Sequence, residues 1–176
     1  MTKEKKSYVI LVDKNGKEIR KGEKLKVHQE GKLHRAFSIF IFNKKGELLL
    51  QKRAKSKYHS SGLWSNTCCS HPRPGFDIKE EAKRRLKEEM GIETDLKEIF
   101  SFIYKAKVGE LIEHEFDYVF IGNFDGQPKP NKKEVDDWKW LNKKDLEKEI
   151  KANPEKYTPW LKIIFNKVFR WKNLRL

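Results

Sequence analysis

Sulfur is scarce in this sequence, with two cysteines and two methionines among 176 residues. Two cysteines cannot build the multi-bridge framework of a small secreted scaffold. Cys68 and Cys69, being adjacent, bridge each other only through a strained ring. Their spacing also excludes a CxxC zinc or redox motif. What remains for them is chemistry, metal coordination or plain packing. Long apolar runs are missing as well. The richest stretch, AFSIFIF, is strand length, against the roughly 18 residues of a membrane span. The start, MTKEKKSYVILV, lacks the apolar stretch and small-residue cleavage site of a signal peptide. The chain is therefore expected in the cytoplasm and off the membrane. Internal repeats and low-complexity tracts are absent too.

What the chain does have is enough for a core, and a strong charge. A hydrophobic content of 37% and an aromatic share of 12% suffice for one sizeable core and are short for two. Residues 1–176 are read as a single domain, expected to act as a monomer. The 40 Lys and Arg against 26 Asp and Glu leave a formal charge of +14. Such a field draws nucleic acids, acidic membranes or phosphorylated small molecules, and it also raises solubility. The lysines are dispersed, without a compact basic run or a recognisable nucleic-acid module, so nucleic acid is not an expected partner.

Hydrophobic patterning gives the elements. AFSIFIF and ELLLQKR flank NKKG as in a β-hairpin, and the first of them, apolar on both faces, belongs at the centre of a covered sheet. FDGQPKPNKKE, residues 124–134, reads as a loop. Residues 78–90 are predicted helical, with Asp77 as N-cap, Glu80 three residues on and Gly91 at the end. Ile78, Ala82, Leu86 and Met90 form an apolar stripe into which Arg85 and Glu89 also project. Burying charge is costly unless it is paired. Arg85 and Glu89 are thus either an ion pair at the edge of the core or a charged pair aimed at a ligand. In EHEFDYVFI, residues 113–121, alternation puts Glu113, Glu115 and Asp117 on one face and His114, Phe116, Tyr118 and Phe120 on the other. Those carboxylates face either solvent or a cation. Leu146 and Ile150 mark a short helix, and Thr158 and Pro159 open a final amphipathic one through Leu161, Ile164, Phe165 and Val168. If residues 66–71 are extended, Thr67, Cys69 and His71 point one way, and Asn66, Cys68 and Ser70 the other. Cys69, sharing its side with the histidine, is the candidate for chemistry, and Cys68 the candidate for packing.

Five segments in this order, LHRAFSIFIFNKKGELLLQKRA, WSNTCCSHP, RRLKEEMGI, EHEFDY and TPWLKII, closely resemble type 1 isopentenyl diphosphate isomerases, from about Tyr8 to the RWKNL tail. That family lies in the Nudix superfamily. The resemblance implies an α/β (α+β) fold, a mixed β-sheet sandwiched between helices. The Nudix hydrolase signature places an Arg-Glu dipeptide one turn before Glu-Glu. Here the dipeptide reads Arg84-Arg85, while Glu88-Glu89 and Gly91 are kept. A cation in place of a metal-binding carboxylate favours holding a diphosphate without hydrolysing it. The alternative is a Nudix diphosphohydrolase acting on a small diphosphate.

The resemblance also assigns roles. It gives a divalent metal, Mn²⁺, Zn²⁺ or Mg²⁺, to His28, His34, His71, Glu113 and Glu115, and a second ion, Mg²⁺, to Glu89. It gives the diphosphate of a small isoprenoid substrate to Lys24, Arg53, Lys57 and Arg85, whose forks and point charges suit phosphate oxygens. Cys69 and Glu115 become the proton-moving pair on opposite faces of the hydrocarbon. Glu115 delivers with help from Tyr104, and Cys69 accepts, its thiolate favoured by nearby cations. The ring of Trp160 faces a developing carbocation. His59 and His114 have no role in it. Three departures stand out: a His28–His34 spacing one residue tighter than in some members, Ser60-Ser61-Gly62 where Pro-Gly is frequent, and a segment between Tyr104 and Glu113 shorter than in close relatives.

Overall fold

A computed structural model describes residues 7–57 and 59–173. Its elements run β1 (Tyr8–Val12), β2 (Glu18–Glu23), α1 (Lys24–Glu30), β3 (His34–Phe42), β4 (Leu48–Arg53), β5 (Trp64–Ser65), β6 (Cys68–Ser70) and α2 (Ile78–Met90). There follow β7 (Lys97–Val108), β8 (Leu111–Asn123), β9 (Val135–Leu141), α3 (Lys143–Ala152), a 3-10 turn (Pro154–Lys156) and α4 (Pro159–Asn173). The N-terminal MTKEKK and Leu174 of the RWKNL tail lie outside the described residues.

The doubly apolar strand is central, as its composition requires. β3 pairs in parallel with β8 along its whole length, from His34 opposite Glu115 to Phe42 opposite Asn123. Its other edge is shared by β1, β6 and β4, all antiparallel. β7 joins β8, and β9 and β5 join β4, so parallel and antiparallel pairs mix in one sheet. Alternation splits β3 between two cores. Phe37, Ile39 and Ile41 pack with Ala82, Leu86 and Met90 of α2, while Phe40 and Phe42 pack with Leu146 of α3 and Leu161, Ile164, Phe165 and Val168 of α4. Each such side chain contributes about 1.5–3 kcal/mol by leaving water. The helices therefore cover both faces of the sheet. No helix among the described residues is long and apolar enough to cross a membrane.

The expected β3–β4 hairpin holds at one position only, Phe42 with Leu48. Beyond it the strands part because residues 66–70 are wedged between them. Thr67 Oγ1 accepts from the Ile41 N–H at 2.9 Å and donates to the Leu49 carbonyl at 2.6 Å, standing in for the missing ladder. Asn66 Nδ2 donates to the carbonyls of Ile39 and Cys68 at 3.1 and 3.0 Å. On α2, the Asp77 side chain accepts from the N–H groups of Lys79 and Glu80, and Gly91 ends the helix at φ 66°, both at the residues read from sequence.

Candidate active site

Paired residues of neighbouring strands share a face of the sheet, and the register brings the chemistry together on the α4 face. Ser38 of β3 stands opposite Cys69 of β6, His34 opposite Glu115 of β8, and Glu115 opposite Tyr104 of β7. Cys68 turns the other way into the α2 core and is fully buried. The cleft so formed has a volume of about 70 Å³ and is lined by Cys69, His71, Tyr104, Glu113, Glu115 and Trp160, together with Lys24, Arg53, Lys57, His59, Ser70 and Arg85.

Five side chains at one corner could hold a metal. Ligand atoms of His28, His34, His71, Glu113 and Glu115 all lie within 4.8 Å of one another. His28 reaches the group from the last turn of α1, where Gly31 at φ 59° adopts the left-handed conformation and reverses the chain toward His34. That turn accommodates the tight spacing. His28 Nδ1 lies 2.7 Å from the Lys24 carbonyl and His34 Nδ1 lies 2.8 Å from the Lys32 carbonyl, so each Nδ1–H donates to the backbone and leaves Nε2 to face the cluster. His34 Nε2 and His71 Nε2 approach to 3.1 Å, and His71 Nε2 lies 2.9 Å from Glu115 Oε1. Three imidazoles and two carboxylates, buried and crowded, are a donor set that fits a divalent cation.

The charges agree with that fit. Burial works against the Glu113 carboxylate, and so does the charge of Glu115. Hydrogen bonds from His28 and His59 nevertheless hold its pKa down at about 2. Glu115 is also lowered: burial opposes its charge, but His34 and the Tyr104 hydroxyl, which donates to Oε2 at 2.6 Å, stabilise it. Burial, and after it the charge of Lys24, lower the His71 pKa well below the ordinary imidazole value and favour the neutral ring, the form a metal takes. His28 is raised: burial works against its charge, but its bond to Glu113 prevails, so it would shed a proton if it took a metal. Asp117, buried beside the group, is pushed well above the carboxylate range by burial and by Glu115, and accepts from Ser38 Oγ at 2.7 Å.

Four cations crowd the cleft. Burial lowers the Lys24 amine, and Lys57, Arg85 and Arg53 lower it further, against the pull of Glu113. Like charges gathered in one cleft are an anion site. Arg85 pairs with Glu89, and Lys57 lies 3.7 Å from the same carboxylate. Glu89 is buried, accepts from Gln51 Nε2 at 2.9 Å and stands apart from the five-residue cluster. The ion-pair reading of Arg85 and Glu89 holds, and Arg85 also lines the cleft.

The apolar side of the cleft is Tyr104 and Trp160, which cluster with Val108, with Cys69 and Phe102 packed against them. Trp160 Nε1 donates to Ser65 Oγ at 2.9 Å, and Thr158 Oγ1 reaches the same atom at 3.3 Å, which anchors the start of α4 on β5. The Cys69 thiol donates to Asn66 Oδ1 at 3.0 Å. Here one expectation is corrected: the pull of the cations toward a thiolate does not prevail. Burial pushes the Cys69 thiol up to about 12, outweighing Ser65 and Arg53. Burial thus favours the thiol form of Cys69, while the surroundings of Glu115 favour its carboxylate. Ser65, Asn66 and His59 went unassigned in the sequence. The signal for His59 is its imidazole alone, and Ser65 and Asn66 carry none.

Fold and site together define a NUDIX-domain protein, and the NUDIX domain family matches residues 32–161. DR0079 from Deinococcus radiodurans shares the fold, with a TM-score of 0.70 at 18% identity over 83% of this chain and 90% of that one. The MutT protein from Methanosarcina mazei Go1 does so with 0.64 at 22%, over 80% and 95%. Relatives of higher identity narrow the class. Isopentenyl-diphosphate Delta-isomerase 2 of Aromatoleum aromaticum is 50% identical over 167 residues, 94% of this chain and 88% of that protein. Isopentenyl-diphosphate Delta-isomerase of Serratia proteamaculans is 49% identical over 172 residues, 94% and 96%. The chain belongs to the isopentenyl-diphosphate Delta-isomerase family.

Proposed function

We propose that this protein interconverts isopentenyl and dimethylallyl diphosphate by adding a proton at one carbon of the alkene and removing another two carbons away. The observation that carries the reading is one cleft lined by Cys69, Glu115 and four cationic side chains. Lys24, Arg53, Lys57 and Arg85 hold the diphosphate, arginine by bidentate forks and lysine by point charge. An unactivated alkene is a weak base, so protonation needs a positioned acid in a dry site, and the tertiary cation that follows must meet no nucleophile. Trp160, Tyr104 and Val108 exclude water, and the indole face stabilises the cation by about 2 kcal/mol.

Cys69 and Glu115 come from strands on opposite edges of β3 and share one transferable proton. One delivers it and the other receives its replacement, and the roles exchange when the reaction runs in reverse. The Tyr104 hydroxyl, donating to Glu115 Oε2, steadies the carboxylate. His28, His34, His71, Glu113 and Glu115 would hold a divalent ion, Mn²⁺, Zn²⁺ or Mg²⁺, and Glu89 a Mg²⁺. These ions supply charge neutralisation for the carboxylates and for the phosphate oxygens. We place the enzyme in the cytoplasm as a single-domain monomer.

Incubation with isopentenyl diphosphate, Mn²⁺ and Mg²⁺ is expected to yield dimethylallyl diphosphate up to an equilibrium mixture. Release of inorganic phosphate or diphosphate in place of that product would establish the hydrolase and remove this reading.

A further inference from the structure

His59 has no part in the roles that the family resemblance assigns, yet it touches them. We infer that His59 is a positioning residue that sets the Glu113 carboxylate as a metal ligand, an inference that rests on the metal reading above. Its Nε2 lies 2.8 Å from Glu113 Oε1. The other oxygen, Oε2, is buried and faces His28 Nε2 at 3.3 Å. His59 thus engages one carboxylate oxygen and leaves its twin turned to the cluster. The need for it is electrostatic. Glu115 stands two residues along the same face and repels Glu113, and a terminal carboxylate torsion is soft. A donor on a separate loop opposes that repulsion.

The loop is built to hold the ring still. The His59 ring meets Trp160 edge to face, centroids 6.0 Å apart at 90°. Ser60 Oγ lies 3.4 Å from Nδ1, so its hydroxyl can donate there and leave the proton on Nε2. The His59 carbonyl accepts from Arg53 Nη2 at 3.1 Å. The loop is closed by paired bonds between Arg53 and Gly62–Leu63, the Gly62 N–H donating to the Arg53 carbonyl and the Arg53 N–H to that of Leu63, both at 2.9 Å. Ser60 sits in the left-handed region at φ 48°, uncommon outside glycine, which aims His59 inward.

Hydrogen-bond partners of metal ligands are worth about 10- to 100-fold in metal affinity. The test is titration of the metal-free protein with Mn²⁺, free ion followed by electron paramagnetic resonance, for wild type, His59→Ala and His59→Gln. Expected is a loss of about 10- to 100-fold in His59→Ala, recovered in large part by His59→Gln, whose amide nitrogen again donates. The melting temperature of metal-free His59→Ala should match wild type. Equal affinity of His59→Ala and wild type overturns the inference, as does a loss that His59→Gln does not repair. Failure of wild type itself to bind Mn²⁺ overturns the metal reading, and this inference with it.

Discussion

Cys69 and its neighbour Cys68 differ by one position in a strand, and that position decides everything about them. Cys68 is sealed under α2, while Cys69 faces the cleft with its thiol donating to Asn66. Because burial pushes the Cys69 pKa up to about 12, its thiolate is scarce at neutral pH. Iodoacetamide should therefore alkylate Cys69 on the order of 10²–10³-fold more slowly than free cysteine between about pH 7 and 9, with reactivity still climbing about tenfold per pH unit above that window, where free cysteine levels off. Mass spectrometry of the modified peptide reads this, with Cys69→Ala as control. Alkylation at the rate of free cysteine would mean that the cations prevail over burial. The choice of Cys69 over Cys68 was legible beforehand, since alternation along a strand needs no tertiary knowledge. The resting place of the proton was not, because it depends on how deeply the fold buries the thiol. Nor were the roles of Ser65 and Asn66. The partner of Ser65, Trp160, lies 95 residues away in sequence, and no local pattern announces such a pair.

At the scale of elements, residues 66–70 do the work that the hairpin pattern assigned to β4. Thr67 satisfies a backbone donor on β3 and a backbone acceptor on β4 with a single hydroxyl. Thr67→Val keeps the volume and leaves both groups buried and unpaired, which should cost about 2–4 kcal/mol of stability, read from urea unfolding. A cost below about 0.5 kcal/mol would show that the wedge is held by packing alone. The elements themselves were readable where one signal sufficed: the stripe and caps of α2, the two-faced β3, the alternation of β8. The β3–β4 hairpin forms at its turn, with Phe42 opposite Leu48, but its short extent was not legible, because a turn signal such as NKKG reports only that the chain reverses. Whether the strands stay together afterwards is decided by what else competes for their edges. α2 shows a related limit. Glu81 is buried and accepts from Arg73 and Arg84, so that its pKa falls to about 2 although burial opposes this. Its partner Arg73 lies before the helix, outside any helical spacing.

Across the whole molecule, the net charge of +14 and the four cations of the cleft act together. In the proposed function the surface field would draw a diphosphate inward, and the cleft would fix it beside a sheet face whose clustered carboxylates and imidazoles could hold a metal. The order of motifs carried the architecture because each strand of the site pairs, directly or through one neighbour, with β3. Once β3 is central, Cys69 and Glu115 must meet across it. The most direct measurement is proton NMR of isopentenyl diphosphate in deuterated water with Mn²⁺ and Mg²⁺, for wild type, Cys69→Ala and Glu115→Gln. The predicted result is dimethylallyl diphosphate carrying deuterium in the newly formed methyl group for wild type, and a loss of about 10²–10⁴-fold or more in each variant. Labelled product formed by Cys69→Ala at the wild-type rate would contradict the central claim.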